Sequence, residues 1–403
     1  MSEFSRALQQ RLAALRDQGL YRELRRVDSP QGPRLEIAGR TLVNFSSNDY
    51  LGLANHAALK EAAARAVATF GAGSGASRLI CGSLAPHHEL EDSLAAFKGT
   101  EAALTFSTGF AAALGTITAL IGKDDIIIAD KLAHACIVDA ARLSRARLRI
   151  FAHNDLNELE DNLKWAATAQ NAERGTRSES GHILVVTESV FSMDGDHAPL
   201  REIVALKEKH GAWLMVDEAH ATGLYGDQRR GLAESLGVSD HVEIQMGTLG
   251  KALGASGGYI CGSRVLIDFL VNRARSFIFS TAPVPAAAAA AAAGIEIVRS
   301  RKGEELNKAA WNLANLLDHA ADAAGVGICA PDSLIMPLII GDEARTMAIA
   351  SDLREKGFFV PAIRYPTVAR GAARLRITLT ASHSSNDVGD LVTALAEIVN
   401  RKS

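Results

Sequence analysis

The sequence predicts an α/β fold, a mainly parallel sheet covered by helices on both faces, followed by a smaller α+β domain. Short apolar runs alternate with helix-length stretches from residue 103 to 263: 103-ALTF-106, 125-DIIIAD-130, 147-RLRIFA-152, 183-ILVVTES-189, 213-WLMVDEAH-220, 243-EIQMGTLGK-251 and 258-GYICGS-263. Such near-continuous runs mark strands buried on both faces, as in a sheet wrapped by crossover helices. Near Ala290 the pattern shifts to long helical stretches, then to strand-like 334–341, 358–363 and 374–380 and a last helix near 387–399. In such sheets ligands lie beyond the carboxyl ends of the strands, and there this chain concentrates its chemically capable residues.

The 403 residues suffice for two to three domains. The expected division is an N-terminal helix and hairpin arm (1–45), a large domain (46–290) and a small C-terminal domain (291–403). Apolar residues are 48% and charged residues 22% of the chain, and the net charge of −3 comes with dispersed basic residues. That distribution argues against a nucleic-acid partner. Cys81, Cys136, Cys261 and Cys329 are far apart, without metal-ligand spacing; they read as small buried residues of a reduced compartment, with no metal expected. The N-terminus lacks a signal peptide's apolar core, so a cytoplasmic protein is expected.

In chain order, Leu8, Leu12 and Leu15, then Leu20 and Leu24, recur at near-helical spacing and predict an amphipathic helix broken near Gly19. Arg25 and Arg26 follow. Residues 34–37 and 41–45 read as a hairpin around Gly39, and 48-NDYLGL-53 as a turn into a helix, with Asn48 able to hold a carbonyl or carboxylate. The segment 71-GAGSGA-76 spells a dinucleotide fingerprint, yet a helical stretch precedes it, so it reads as a loop bordering a small-molecule site, with Ser77 and Arg78 in reach. Ser276 to Ile295 carries no charge, but its hydrophobicity rests on alanine and Pro283 and Pro285 interrupt it. It predicts a loop through Ser280 and Thr281 and a packed helix after Pro285, rather than a membrane span.

The chemistry centres on 247-GTLGKALGASGG-258, where glycines around Lys251 let the backbone turn sharply and approach a flat ligand. A lysine condenses with an aldehyde only when unprotonated, so its site must disfavour the ammonium. Pyridoxal phosphate is the aldehyde most often held this way, and it needs an acid for its ring nitrogen and donors for its phosphate. Asp217 ends an apolar run and supplies the acid, with His220 three residues on. In 106-FSTGFAAALGT-116 a strand runs into Ser107, Thr108, Gly109 and Phe110 before a helix, and the free N–H groups at the helix start, with Gly109 allowing close approach, form an anion site. His134 follows a strand and can stack on a ring, Ser192 in 188-ESVFSMDGD-196 can donate to a ring oxygen, and Thr248 can reach the phosphate.

This order of phosphate loop, stacking histidine, Asp-x-x-His and lysine resembles the fold type I pyridoxal-phosphate enzymes. With 217-DEAH-220 and 248-TLGKALGASGG-258 it is similar to their α-oxoamine synthase family, over nearly the whole chain. Within that family 44-NFSSNDYLGL-53, 151-FAHNDL-156, 190-VFSMDGDHAPL-200, 213-WLMVDEAHATG-223 and 361-PAIRYPTVARGAARLRITLTASH-383 resemble the members that serve biotin biosynthesis. The resemblance implies that Lys251 bonds the cofactor, Asp217 pairs with its ring nitrogen and His134 stacks on it. It makes Gly109, Phe110, Ser192, His220 and Thr248 further cofactor contacts, and Arg25, His134, Thr367 and Arg376 substrate contacts, Arg376 taking the amino-acid carboxylate; Asn48, from its own chemistry, is a further candidate for the substrate carboxylate. It implies a homodimer with shared sites, in which Ser280 or Thr281 serves the partner's phosphate. The implied substrates are L-alanine and a pimeloyl thioester of CoA or acyl carrier protein.

The sister reactions with glycine or serine and another acyl-CoA stay open, because one methyl group contributes only about 1–3 kcal/mol of discrimination. A simple aminotransferase also fits the bare chemistry. A non-catalytic family member is disfavoured by Lys251 and Asp217.

Overall fold

The computed structural model describes residues 1–173, 181–328 and 333–399. Its largest sheet has seven strands, in the spatial order Ala102–Phe106, Gly258–Gly262, Ile244–Thr248, Trp213–Asp217, Ile183–Glu188, Ile126–Asp130 and Arg147–Phe151. From Ile244–Thr248 to Arg147–Phe151 neighbouring strands are parallel. Gly258–Gly262 runs antiparallel to both neighbours. Only nine residues separate Thr248 from Gly258, fewer than the dozen or so that a parallel crossover needs. The chain therefore turns straight back, and the loop carrying Lys251 stays at the carboxyl edge of the sheet.

Alternation along the strands fills two cores. Ile126, Ile128, Val185, Leu214 and Val216 join the core that includes Leu90, Leu94 and Phe97 of the Ala85–Lys98 helix. Ile127, Ala129, Leu184, Val186 and Met215 face the other way, against Ala112, Ala113 and Ile117 of the Gly109–Leu120 helix and Ile137 and Ala140 of the Ala135–Ser144 helix. Because successive strand side chains alternate faces, Glu188 and Asp217 both lie on this second face.

The alanine-rich helix begins at Pro285 and ends at Arg299, burying Ala288, Ala291, Gly294, Ile295 and Val298. Gly294 is needed for close packing, since a Cβ there would stand 2.2 Å from the Leu253 carbonyl oxygen, and Leu253 belongs to the lysine loop. No described helix is long and apolar enough to cross a membrane.

Several expectations change. The N-terminal helix stops at Asp17 with no buried residue; beyond Gly19, whose φ is +66°, the chain is not helical, and Leu24 is fully exposed. After 48-NDYLGL-53 the next helix begins only at Ala57. The run 358–363 is two short strands: Phe358–Phe359 pairs with the arm strand Arg40–Asn44, and Ala362–Ile363 pairs with Ala373–Thr378. Between them Pro361, which has no N–H to give a ladder, accepts at its carbonyl from the Arg376 N–H. Cys81 is exposed, unlike Cys136 and Cys261, because it sits on the single turn Arg78–Gly82 outside both cores; Cys329 lies outside the described residues.

Candidate active site

Parallel strands bring their carboxyl ends to one edge, and there Thr248, Asp217 and Glu188 end three consecutive strands. Asp217 is register-paired with Glu188 on one side and Met246 on the other. Its carboxylate accepts the Ala219 N–H at 2.9 Å. Burial raises its pKa, while Lys251 and that N–H pull it back. A buried carboxylate held by one backbone donor suits a cationic ring nitrogen.

Lys251 Nζ lies 2.7 Å from His220 Nε2, and His220 Nδ1 lies 2.5 Å from the Tyr50 hydroxyl. Burial, then Lys251 and Arg376, push the His220 imidazole well below its ordinary value, so it stays neutral. With the lysine ammonium donating to Nε2, the ring proton sits on Nδ1 and donates to Tyr50. The Tyr50 hydroxyl, pushed up to about 12 by burial, is in turn 3.4 Å from Asn48 Oδ1. The chain of donors thus orders the amine from behind. Burial lowers the Lys251 pKa to about 8, with Asp217 and Glu188 opposing and Arg376 assisting. A useful fraction of the amine is therefore unprotonated near neutral pH.

Arg376 is buried on the Ala373–Thr378 strand and donates to the Ser192 carbonyl at 2.6 Å, to Asn48 Oδ1 at 3.1 Å and to Thr378 Oγ1 at 2.9 Å. It ties the C-terminal strand, the 188–196 loop and the N-terminal turn to one point. Its positive charge acts on both Lys251 and His220.

The first N–H groups of the twelve-residue Gly109–Leu120 helix lie beside this edge, with Thr108 as N-cap. A Cβ on Gly258 would stand 2.5 Å from both the N and Cα of Gly109, so only glycine lets the lysine-loop hairpin dock there. Phe110 and His134 are exposed, which leaves their faces free for a ligand. His134 caps the Ala135–Ser144 helix, its Nδ1 accepting the Cys136 N–H at 3.2 Å. It interacts electrostatically with both Asp217 and Lys251. Thr248 Oγ1 donates to the Gly257 carbonyl at 2.9 Å and accepts from Gly250 N–H at 3.2 Å, bracing the loop. Buried acid, low-pKa amine, exposed ring and glycine-lined helix start fit the demands of pyridoxal phosphate.

A cavity of about 520 Å³ is lined by His134, Ser192, Asp194, Thr367 and Arg374. Thr367 also lines a second cavity of about 610 Å³ with Tyr21, Arg25 and Arg364, so Arg25 stands one cavity away from His134. Ser280 and Thr281 are not brought to Lys251: Thr281 bridges to Ser77, and the next residue donates to the Ala76 carbonyl. Arg78 is not available to a ligand, since it is buried and grips both Glu91 oxygens at 2.8 Å.

The structure adds Tyr50, Glu188 and Cys136 to the residues expected at this site. Glu188 carried the same signal as Asp217, an acid ending an apolar run. Tyr50 gave no local sign, because its partner His220 is 170 residues away.

The aminotransferase class I and II family model matches residues 40–395. The 8-amino-7-oxononanoate synthase of Geotalea daltonii is 47% identical over 387 residues, 96% of each chain. Among solved structures, the serine palmitoyltransferase of S. paucimobilis with bound PLP–myriocin superposes with a TM-score of 0.89 at 28% identity, covering 99% of this chain and 98% of that one. An 8-amino-7-oxononanoate synthase from Francisella tularensis gives 0.74 at 26% identity, covering 89% and 98%.

Proposed function

The chain belongs to the aminotransferase class I and II family, with 8-amino-7-oxononanoate synthases as its near relatives, and from that premise we propose how the strand-end cluster works. The fold is that of the fold type I enzymes and the cofactor is pyridoxal phosphate. The reaction is the decarboxylative condensation of L-alanine with a pimeloyl thioester, giving 8-amino-7-oxononanoate, CO2 and free thiol. When bound, the cofactor supplies an electron sink for the bond broken at the alanine Cα.

In this reading Lys251 holds the cofactor and Asp217 keeps its ring nitrogen charged. Gly109, Phe110 and Thr248 take the phosphate side, Ser192 and His220 the ring oxygen, and His134 covers the ring face. Once free, Lys251 Nζ takes the alanine Cα proton as general base. Its depressed pKa and the neutral His220 behind it support that role. Arg376 offers a fixed cation to the alanine carboxylate, beside Asn48. His134 and Thr367 line the cavity that receives the acyl carbonyl, and Arg25 lies beyond Thr367. The reading includes a cytoplasmic homodimer in which Ser280 or Thr281 serves the partner's phosphate; the tie of Thr281 to Ser77 rather than to Lys251 supports this. It also includes a carrier that is CoA or an acyl carrier protein, and a division of the chain at residues 45 and 290.

The observation that carries the reading is the buried Lys251 amine, 2.7 Å from the His220 ring and under the electrostatic influence of the buried strand-end acid Asp217. Mass spectrometry of the product from alanine and pimeloyl-CoA tests it, with glycine, serine and a long-chain acyl-CoA as competitors. Preferential use of serine with the long-chain thioester would move the chain to the sister activity that the structural likeness to serine palmitoyltransferase raises.

A further inference from the structure

Glu188 is a buried acid that the mechanism above leaves unused. It ends the Ile183–Glu188 strand directly across from Asp217, and both side chains lie on the same face of the sheet. Adjacent strands stand about 4.8 Å apart, and two carboxyls that close and that buried cannot both ionise cheaply. The surroundings decide which of them keeps a proton. Asp217 has the Ala219 N–H and the electrostatic influence of Lys251. Glu188 is helped electrostatically by Lys251 and by the His134 backbone N–H, but its Oε1 is buried with no partner among the described residues. A bare anionic oxygen there would be the costliest arrangement, and an O–H costs less.

We propose that Glu188 is a positioning residue carried as a neutral carboxylic acid, which leaves Asp217 as the single anion for the ring nitrogen. The role rests on the proposed function. Burial, then the neighbouring Asp217, raise Glu188 to about 8, in keeping with the geometry. The other groups that act on it are Lys251 from the loop, Asp130 from the next strand and Cys136 from the helix above.

The test compares wild type with Glu188→Gln. In the cofactor-free protein a Glu whose folded pKa is raised contributes stability that is present below its ordinary 4.5 and is lost as pH rises toward about 8. Over that window the wild-type unfolding constant should grow by up to about tenfold per pH unit relative to the Gln variant. Asp217, Lys251, Asp130 and Cys136 remain in both proteins, so the difference isolates Glu188. In the cofactor-loaded protein the Gln variant should exchange the alanine Cα proton within about threefold of wild type, because the amide keeps shape and neutrality. Parallel pH–stability profiles, or an exchange rate lower by about a hundredfold, would overturn the proposal. Should the Gln variant not fold, Glu188→Met carries the same stability prediction. A wild type that exchanges no alanine proton would instead sink the proposed function, and the stability comparison would still decide Glu188.

Discussion

Two clusters of buried charge lie on this sheet, and they are built on opposite principles. At the Ala85–Lys98 helix the buried charges Glu91 and Lys98 each have a counter-charge. Arg78 holds both Glu91 oxygens at 2.8 Å, Glu91 also accepts from Thr105 N–H and Oγ1, and Lys98 meets Glu218 at 2.5 Å with both side chains about 1% exposed. Around Lys251 no ion pair closes among the described residues: Lys251 meets a neutral imidazole, Asp217 a backbone N–H, and Glu188 leaves one oxygen bare. Satisfied charges hold a fold together, whereas titratable groups kept buried and unpaired are strained toward a ligand. That contrast separates Asp217 from Glu218, its neighbour in sequence, as site from scaffold.

The sharpest way to break the contrast is Lys251→Ala. It should leave folding intact and reduce turnover by about a thousandfold or more, with loss of the bound cofactor's visible absorbance; normal turnover would remove Lys251 from the chemistry. Glu91→Ala should do the reverse, stranding Arg78 as a buried unpaired cation at a cost of about 3–5 kcal/mol. Denaturant unfolding measures that, and an unchanged midpoint would show that the pair is dispensable. Asp217→Asn should lower the alanine Cα proton exchange rate by about a hundred- to a thousandfold with little change in stability.

A pH experiment sharpens the same point. Because burial depresses Lys251 to about 8, its unprotonated fraction grows as pH rises and reaches half near that value. The rate at which the apo-protein takes up pyridoxal phosphate should therefore climb through about 8 and level off, as read by absorbance. A rate still climbing steadily toward the range of an ordinary lysine would contradict the depressed value. The smallest effect is expected for Tyr50→Phe, which removes the hydroxyl behind His220. It should cost about 0.5–1.5 kcal/mol, seen as a few-fold fall in turnover; His220→Ala showing no larger loss would argue against an ordered donor chain.

Much of this was legible in the residues themselves. The strand runs ending at Asp130, Asp217 and Thr248 needed only local apolarity, and the helix after Thr108 only its cap and its alanines. Illegible were the features that depend on distant partners. Arg78 looked like a ligand-reaching loop residue until Glu91 and Thr105 closed around it. Leu20 and Leu24 continued a helical spacing that no packing surface rewards, and Leu24 stayed in solvent. Residues 358–363 read as one strand because each half has strand-like composition, while their pairing is split between two sheets.

By itself the sequence determined which residue types stand at the ends of which strands, because strand endings and helix starts are written in neighbouring residues. Tertiary structure decided which of those groups are paired and which are left open. Asn48 and Arg376 are 328 residues apart, and Tyr50 and His220 170 apart; only folding brings them to one point. Burial, which shifts an amine to about 8 and raises Asp217, belongs to the whole packed chain and to no window of it.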